Sequence, residues 1–334
     1  MLNFASMMMR SKIFIFLITL MTVQPHAFAS LAIENNPEEA PEFIEPRATP
    51  SENLISPYVA ALPVIDRSLA PELNKKALQT LGSPDKWAFQ FVFVHRDGQK
   101  QIISEHRANM PVQPASTIKL FTGWLGFTQH IDTADRLAFM LKHSDNPIAN
   151  DTLRRAGGPE RMHNYFRDLG LDVNDQNFKI ADGSGLAEGS LVSADLEMEL
   201  LTYIHSQNQY TKFRNMLARP GAKGTLKVRL LDLKANLYGK TGTLSDSICL
   251  AGYVELEQGT LIFTVLSDHL NLYTERSSLE TRAKVRNAMR ARVDQVLRSQ
   301  VAFAKTLKPL PQPIDIYRQS IHSAPYGAFT QSIR

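Results

Sequence analysis

The chain is poor in the residues that would staple it covalently or hold a metal. It has a single cysteine, Cys249. One thiol forbids an internal disulfide and a thiolate zinc site, and its apolar, strand-like surroundings mark it as a buried, inert side chain. None of the nine histidines stands in an H-E-x-x-H spacing, so neither a metal nor any other cofactor is expected. An excess of one charge is also lacking. The formal net charge is +4, and Arg10 and Lys12 contribute to it. Without them the chain is close to balance, which gives no ground for nucleic-acid binding. Beyond the N-terminus no stretch is long and apolar enough to span a bilayer, and no internal repeat is present.

What is present begins with a basic pair, Arg10 and Lys12, an apolar run from Ile13 to Val23, and Ala27-Phe28-Ala29 before Ser30. This order reads as a secretory signal over residues 1–29. A Pro- and Glu-rich linker is expected over 30–51, and a Pro-rich tail over 305–334. The 334 residues are 43% hydrophobic, enough for one or two domains.

Trp87 to His95 reads as a strand with Phe89, Phe91 and Phe93 on one face. Asp97-Gly98 turns it into a second strand, Gln101 to His106. Helical patterns follow. Asp132 is the expected cap of one helix, Asn146 of the next with Pro147 in its first turn, and Ser193 of a later one. Strands return at Asn236 to Leu244, Ser247 to Leu256 and Thr260 to Ser267. A last helix runs from about Ser277 to Phe303, with Val285, Met289, Val293 and Val296 as its buried stripe. Arg282, Arg286 and Arg290 form a second row, read as a solvated face, with peripheral contact to an anionic envelope surface as the alternative. Early and late strands with helices between them imply an α+β fold. One antiparallel sheet is built from 52–128 and 225–304, and an all-helical region, 129–224, is inserted.

Three motifs occur in order: Ser116-x-x-Lys119, Ser144-Asp145-Asn146 and Lys240-Thr241-Gly242. Each is weak alone. Roughly one S-x-x-K match arises by chance in a chain of this length, and Ser83-Pro84-Asp85-Lys86 is such a decoy. The ordered triple, each member at a helix start, a helix junction or a strand, is specific. Its chemistry is coherent. Ser116 needs a base to become a nucleophile. Lys119, three residues on, can be that base if burial and the nearby charge of Lys240 lower its pKa. The Ser144 hydroxyl can relay the proton to a leaving amine. Asn146 can hold Lys119 and the substrate amide, and Lys240, Thr241 and Thr243 can bind a substrate carboxylate. Gly242, without a Cβ, lets substrate backbone lie against the strand. The amides of Ser116 and Thr243 are the candidate oxyanion donors.

With Pro114 to Leu120, His143 to Asn146, Ala181 to Leu186, Gly224 to Leu226, Gly239 to Leu244 and Ala251 to Val254, the chain resembles the class-C low-molecular-mass penicillin-binding proteins. These are D-alanyl-D-alanine carboxypeptidases and endopeptidases. The resemblance implies a penicillin-binding/serine β-lactamase-like fold, a periplasmic location, peptidoglycan stem peptides as substrates and β-lactams as inhibitors. It also implies Ser116 as the acylated residue, Lys119 as base, Ser144 as relay, and Asn146, Lys240, Thr241, Gly242 and Thr243 as substrate contacts. That family usually carries a long insertion between the first two motifs; here only Leu120 to His143 intervene.

Two rivals share part of the pattern. A serine β-lactamase would acylate in the same way but needs a group that activates water. Pro71-Glu72-Leu73-Asn74 resembles such a segment but precedes Ser116 and reads as helix sequence. A degenerate member would bind cell-wall peptides without acylation.

Overall fold

The computed structural model describes residues 70–274 and 276–308. The expected signal segment, the linker and the tail beyond Lys308 lie outside the described residues. In chain order the elements are α1 (Ala70–Leu81), β1 (Trp87–His95), β2 (Lys100–His106) and β3 (Pro111–Val112), then a 3-10 turn (Ala115–Ile118). Next come α2 (Lys119–Thr128), α3 (Ala134–His143), α4 (Asn146–Arg155) and α5 (Gly158–Asp168). β4 (Phe178–Lys179), β5 (Leu191–Ser193), α6 (Ala194–Ser206) and α7 (Tyr210–Arg214) follow. The chain then forms β6 (Leu237–Thr243), β7 (Ile248–Leu256), β8 (Gly259–Ser267) and α8 (Leu279–Ala304).

The main sheet is antiparallel in the order β2-β1-β8-β7-β6. The early hairpin joins the late strands through β1 and β8, paired from Trp87 opposite Ser267 to His95 opposite Gly259. All nine residues of β1 are buried, because helices cover both faces. Phe89, Phe91 and Phe93 pack with Val293, Val296 and Leu297 of α8, while Val92 and Val94 join the core that holds α2 and α6. Burying each such side chain contributes about 1.5–3 kcal/mol.

Helix α2 is buried on nearly every side, as a helix apolar all round must be. Its Phe121 meets Phe166 and Phe178, with ring centroids 5.1 and 4.8 Å away. The short interval between the first two motifs is therefore α2, a turn and α3. These elements pack on one another and leave no chain for a further domain between the motifs.

The structure differs from the sequence expectations at several points. The stretch expected to be all helical also carries β4 and β5, which join β3 in a small three-stranded sheet. These strands are two and three residues long, too short to show an alternating pattern. Thr133, not Asp132, caps α3, its hydroxyl accepting from Arg136 N. Asp132 instead accepts from Arg136 at 2.6 Å and from Thr152 at 2.8 Å, tying α3 to α4. In α8 only the second half of the expected stripe, Val293 and Val296, is fully buried; Val285 and Met289 are half-buried. The arginine row is not simply solvated. Arg282 and Arg286 lie over the Tyr273 ring, and Arg290 reaches β6. Among the described residues no helix is long and apolar enough to cross a membrane.

Candidate active site

Ser116 sits in the 3-10 turn, and Lys119 opens α2. Residues i and i+3 eclipse in a 3-10 turn, so the two side chains meet. Lys119 Nζ is 2.9 Å from Ser116 Oγ, 2.8 Å from Asn146 Oδ1 and 2.7 Å from the Ser184 carbonyl oxygen. Ala115, just before the nucleophile, has a positive φ of 49°. A non-glycine residue held there stores about 1–3 kcal/mol that its surroundings must offset.

The second motif is a corner between helices. Ser144 ends α3 in the left-handed region, at φ 61°. Asp145, not Asn146, caps α4, and its Oδ1 accepts from Ile148 N at 2.8 Å. Moving the cap one residue back frees the Asn146 amide to reach Lys119. The Ser144 hydroxyl accepts from Lys240 Nζ at 3.0 Å.

The third motif is β6, at the edge of the main sheet. Strand alternation sends Lys240 and Gly242 toward the nucleophile, and Thr241 and Thr243 toward the face that α8 covers. Lys240 has no exposed surface; besides Ser144, its Nζ donates to Thr241 O at 2.7 Å. Gly242 has a packing reason to be glycine besides the one expected. A Cβ there would lie 3.0 Å from Pro114 O and 3.1 Å from Ala115 Cβ, so its bareness lets β6 pack against the nucleophile turn. Thr243 is half-exposed at the end of the strand, and its Oγ1 accepts from Arg290 at 3.2 Å.

Two contributors lie outside the three motifs. One is the loop Asp182 to Gly185. Asp182 accepts from the amides of Ser184 and Gly185 at 3.2 and 2.7 Å and from Ser184 Oγ at 2.7 Å, holding the Ser184 carbonyl toward Lys119. Gly185, at φ 73°, has no room for a Cβ, which would overlap the Ala115 carbonyl oxygen. The other is Glu197, fully buried in α6 and accepting from Thr264 Oγ1 at 3.0 Å. Its signal in the sequence is a carboxylate among Leu196, Leu200 and Leu201 on an apolar face.

Burial dominates the electrostatics. It lowers Lys119 to about 8, against the opposing pull of Asp182 and Asp145. Burial, one of the two causes expected, acts on Lys119; the other, the repulsion between the two ammonium groups, acts between Lys119 and Lys240. Lys240 itself is pushed well below its ordinary value by burial and then by Lys119. Glu197 is raised to about 7 by burial, partly offset by Thr264, Thr117 and Lys240. Burial also raises the Cys249 thiol to about 12, in keeping with an inert side chain.

A model of the D-Ala-D-Ala carboxypeptidase 3 (S13) family matches residues 129–293. Over that stretch the chain is similar to the S13 D-Ala-D-Ala carboxypeptidases. The matched stretch holds the second and third motifs and begins after Ser116 and Lys119. A D-alanyl-D-alanine carboxypeptidase of Actinomadura sp. (strain R39) is 33% identical over 106 residues, which are 30% of this chain and 20% of that protein. Penicillin-binding protein 4 of Haemophilus influenzae, solved with a β-lactam, is 22% identical at a TM-score of 0.44; the match covers 52% of this chain and 41% of that one. The chain thus spans only a minor part of the length of both proteins. A β-lactamase from Chitinophaga pinensis is 15% identical at a TM-score of 0.51, over 69% of this chain and 99% of that one. The fold is of the penicillin-binding/serine β-lactamase type.

Proposed function

We propose that this protein is a serine-type D-alanyl-D-alanine carboxypeptidase acting on peptidoglycan stem peptides, with endopeptidase cleavage of cross-links open to the same chemistry. The carrying observation is the surroundings of Lys119 Nζ. A neutral amine has two hydrogens and one lone pair. Asn146 Oδ1 and Ser184 O only accept, so they take the two hydrogens, and the lone pair is left facing the Ser116 hydroxyl.

In this reading Ser116 Oγ bonds to the carbonyl carbon of the scissile peptide and its proton passes to Lys119. The C–N bond breaks as the leaving amine takes a proton through Ser144, which Lys240 orients. Water then attacks the acyl-serine and frees Ser116. Donors at the amides of Ser116 and Thr243 would stabilise the oxyanion by about 3–4 kcal/mol. The substrate backbone adds to the free edge of β6, past Thr241 and Gly242, with its carboxylate toward Thr243. A β-lactam enters the same sequence and stops at the acyl-enzyme. The S13 match and the curated carboxypeptidase support this substrate class. The leader-like residues 1–29 support action in the periplasm.

The test is incubation of purified protein with a fluorescent penicillin and, separately, with a D-Ala-D-Ala peptide. The expected result is a lasting adduct on Ser116, absent in Ser116→Ala, and release of D-alanine. Rapid penicillin turnover without an adduct would make it a β-lactamase. A folded sample that binds the peptide but is never acylated would make it a binding protein.

A further inference from the structure

Thr243 closes the third motif, and its hydroxyl already has a cationic neighbour. Arg290, on α8, donates to Thr243 Oγ1 at 3.2 Å and to Asn287 Oδ1 at 3.2 Å. Among the described residues it makes no ion pair. The acid one turn away, Asp294, is held by Arg229 through two bonds of 3.1 and 2.5 Å. Arg286, one turn the other way, donates to the Tyr273 phenol at 3.1 Å. Arg290 is thus a half-buried guanidinium with cations on both sides, and burial, Arg229 and Arg286 lower its pKa against the weaker opposing pull of Asp294. A cation kept in that setting is stabilised by an incoming anion. Its fork suits a carboxylate, which accepts two parallel N–H bonds. The obvious competitor for that task is Lys240. It is fully buried and spends its bonds on Ser144 and Thr241 O.

We infer that Arg290 and the Thr243 hydroxyl form a carboxylate-binding site at the open edge of β6, and that this site, not Lys240, supplies the countercharge for the substrate's terminal carboxylate. The inference rests on the peptidase reading for the identity of the ligand. The arginine row on α8 thereby has a function at its last member, which neither a solvated face nor an envelope-binding surface explains.

The experiment uses the full chain in a Ser116→Ala background, so that binding is read without acylation. A D-Ala-D-Ala peptide with a free C-terminus and the same peptide as its C-terminal amide are titrated by calorimetry. The site predicts that Arg290→Ala and Arg290→Gln weaken the free acid about 10–100-fold, the range for a hydrogen-bonded charge. The amide should change by less than about 3-fold, and Arg290→Lys should recover part of the loss. Arg290→Lys keeps a cation on a side chain nearly as long, so it separates the charge from the fork geometry. Equal loss on acid and amide would show that Arg290 is only a strut between α8 and β6, and an unchanged free-acid affinity would also overturn the site. Failure of the peptidase reading shows separately, as absence of penicillin adduct and D-alanine release in the protein with Ser116 intact.

Discussion

The carbonyl oxygen of Ser184 lies 2.7 Å from Lys119 Nζ. This contact fixes the direction of the amine more firmly than a side chain could, because a backbone carbonyl has no rotamer to change. Asp182 holds it by three hydrogen bonds within its own loop, and the Thr122 hydroxyl donates to Gly183 O at 2.8 Å. The base is thus clamped between a loop and the α3–α4 corner, with Ser116 as its third neighbour.

Acylation should follow the protonation of Lys119. With its pKa lowered to about 8, the rate of penicillin acylation should rise with pH and level off above about 8. Lys119→Arg, which keeps the charge but cannot lose its proton, should slow acylation by about 10²–10⁴-fold at every pH, the range for a lost general base. Stopped-flow labelling between pH 5.5 and 9.5 reads both. A rate that is flat across pH 8 would remove Lys119 as the base.

Gly185→Ala should damage the site from outside it. The residue needs φ 73°, and an added Cβ would overlap Ala115 O, next to the nucleophile. A loss of more than about 1 kcal/mol of stability is expected, together with slower acylation, since loop and turn must separate. Urea unfolding and labelling of the same preparation would show both effects together. Slow acylation at unchanged stability would mean the loop acts in another way.

Glu197 makes stability depend on pH. Its folded pKa is raised from 4.5 to about 7, so between these values the folded state binds the extra proton. Stability is therefore full below about 4.5, falls as pH rises toward 7, and is level beyond. The penalty at pH 8 is on the order of 3 kcal/mol. Glu197→Gln keeps an acceptor for Thr264 and removes the ionisation. It should gain stability over the parent at pH 8 and not at pH 4, as measured by denaturant midpoints. An equal gain at both values would point to packing, not charge.

Much of the local structure could be read along the chain because its causes are local. The β1 strand shows in Phe89, Phe91 and Phe93, the cap of α6 in Ser193, the hairpin in Asp97-Gly98. Short-range physics also explains the errors. At Asp132-Thr133 and Asp145-Asn146 two adjacent residues can each cap a helix. The choice is made by what else can use the spare side chain: Arg136 and Thr152 for Asp132, Lys119 for Asn146.

The sequence by itself determined which chemical groups exist, their order, and the i to i+3 meeting of Ser116 with Lys119. Only the tertiary structure decided the partners that lie far along the chain. These are Ser184 O on Lys119, 65 residues away, Ser144 on Lys240, 96 away, and Arg290 on Thr243, 47 away. A carbonyl oxygen is the same at every residue, and an arginine in a helical row looks the same whether it faces water or a strand. Such contacts have no signature in residue type; they arise when packing of both sheet faces brings distant segments within hydrogen-bond reach.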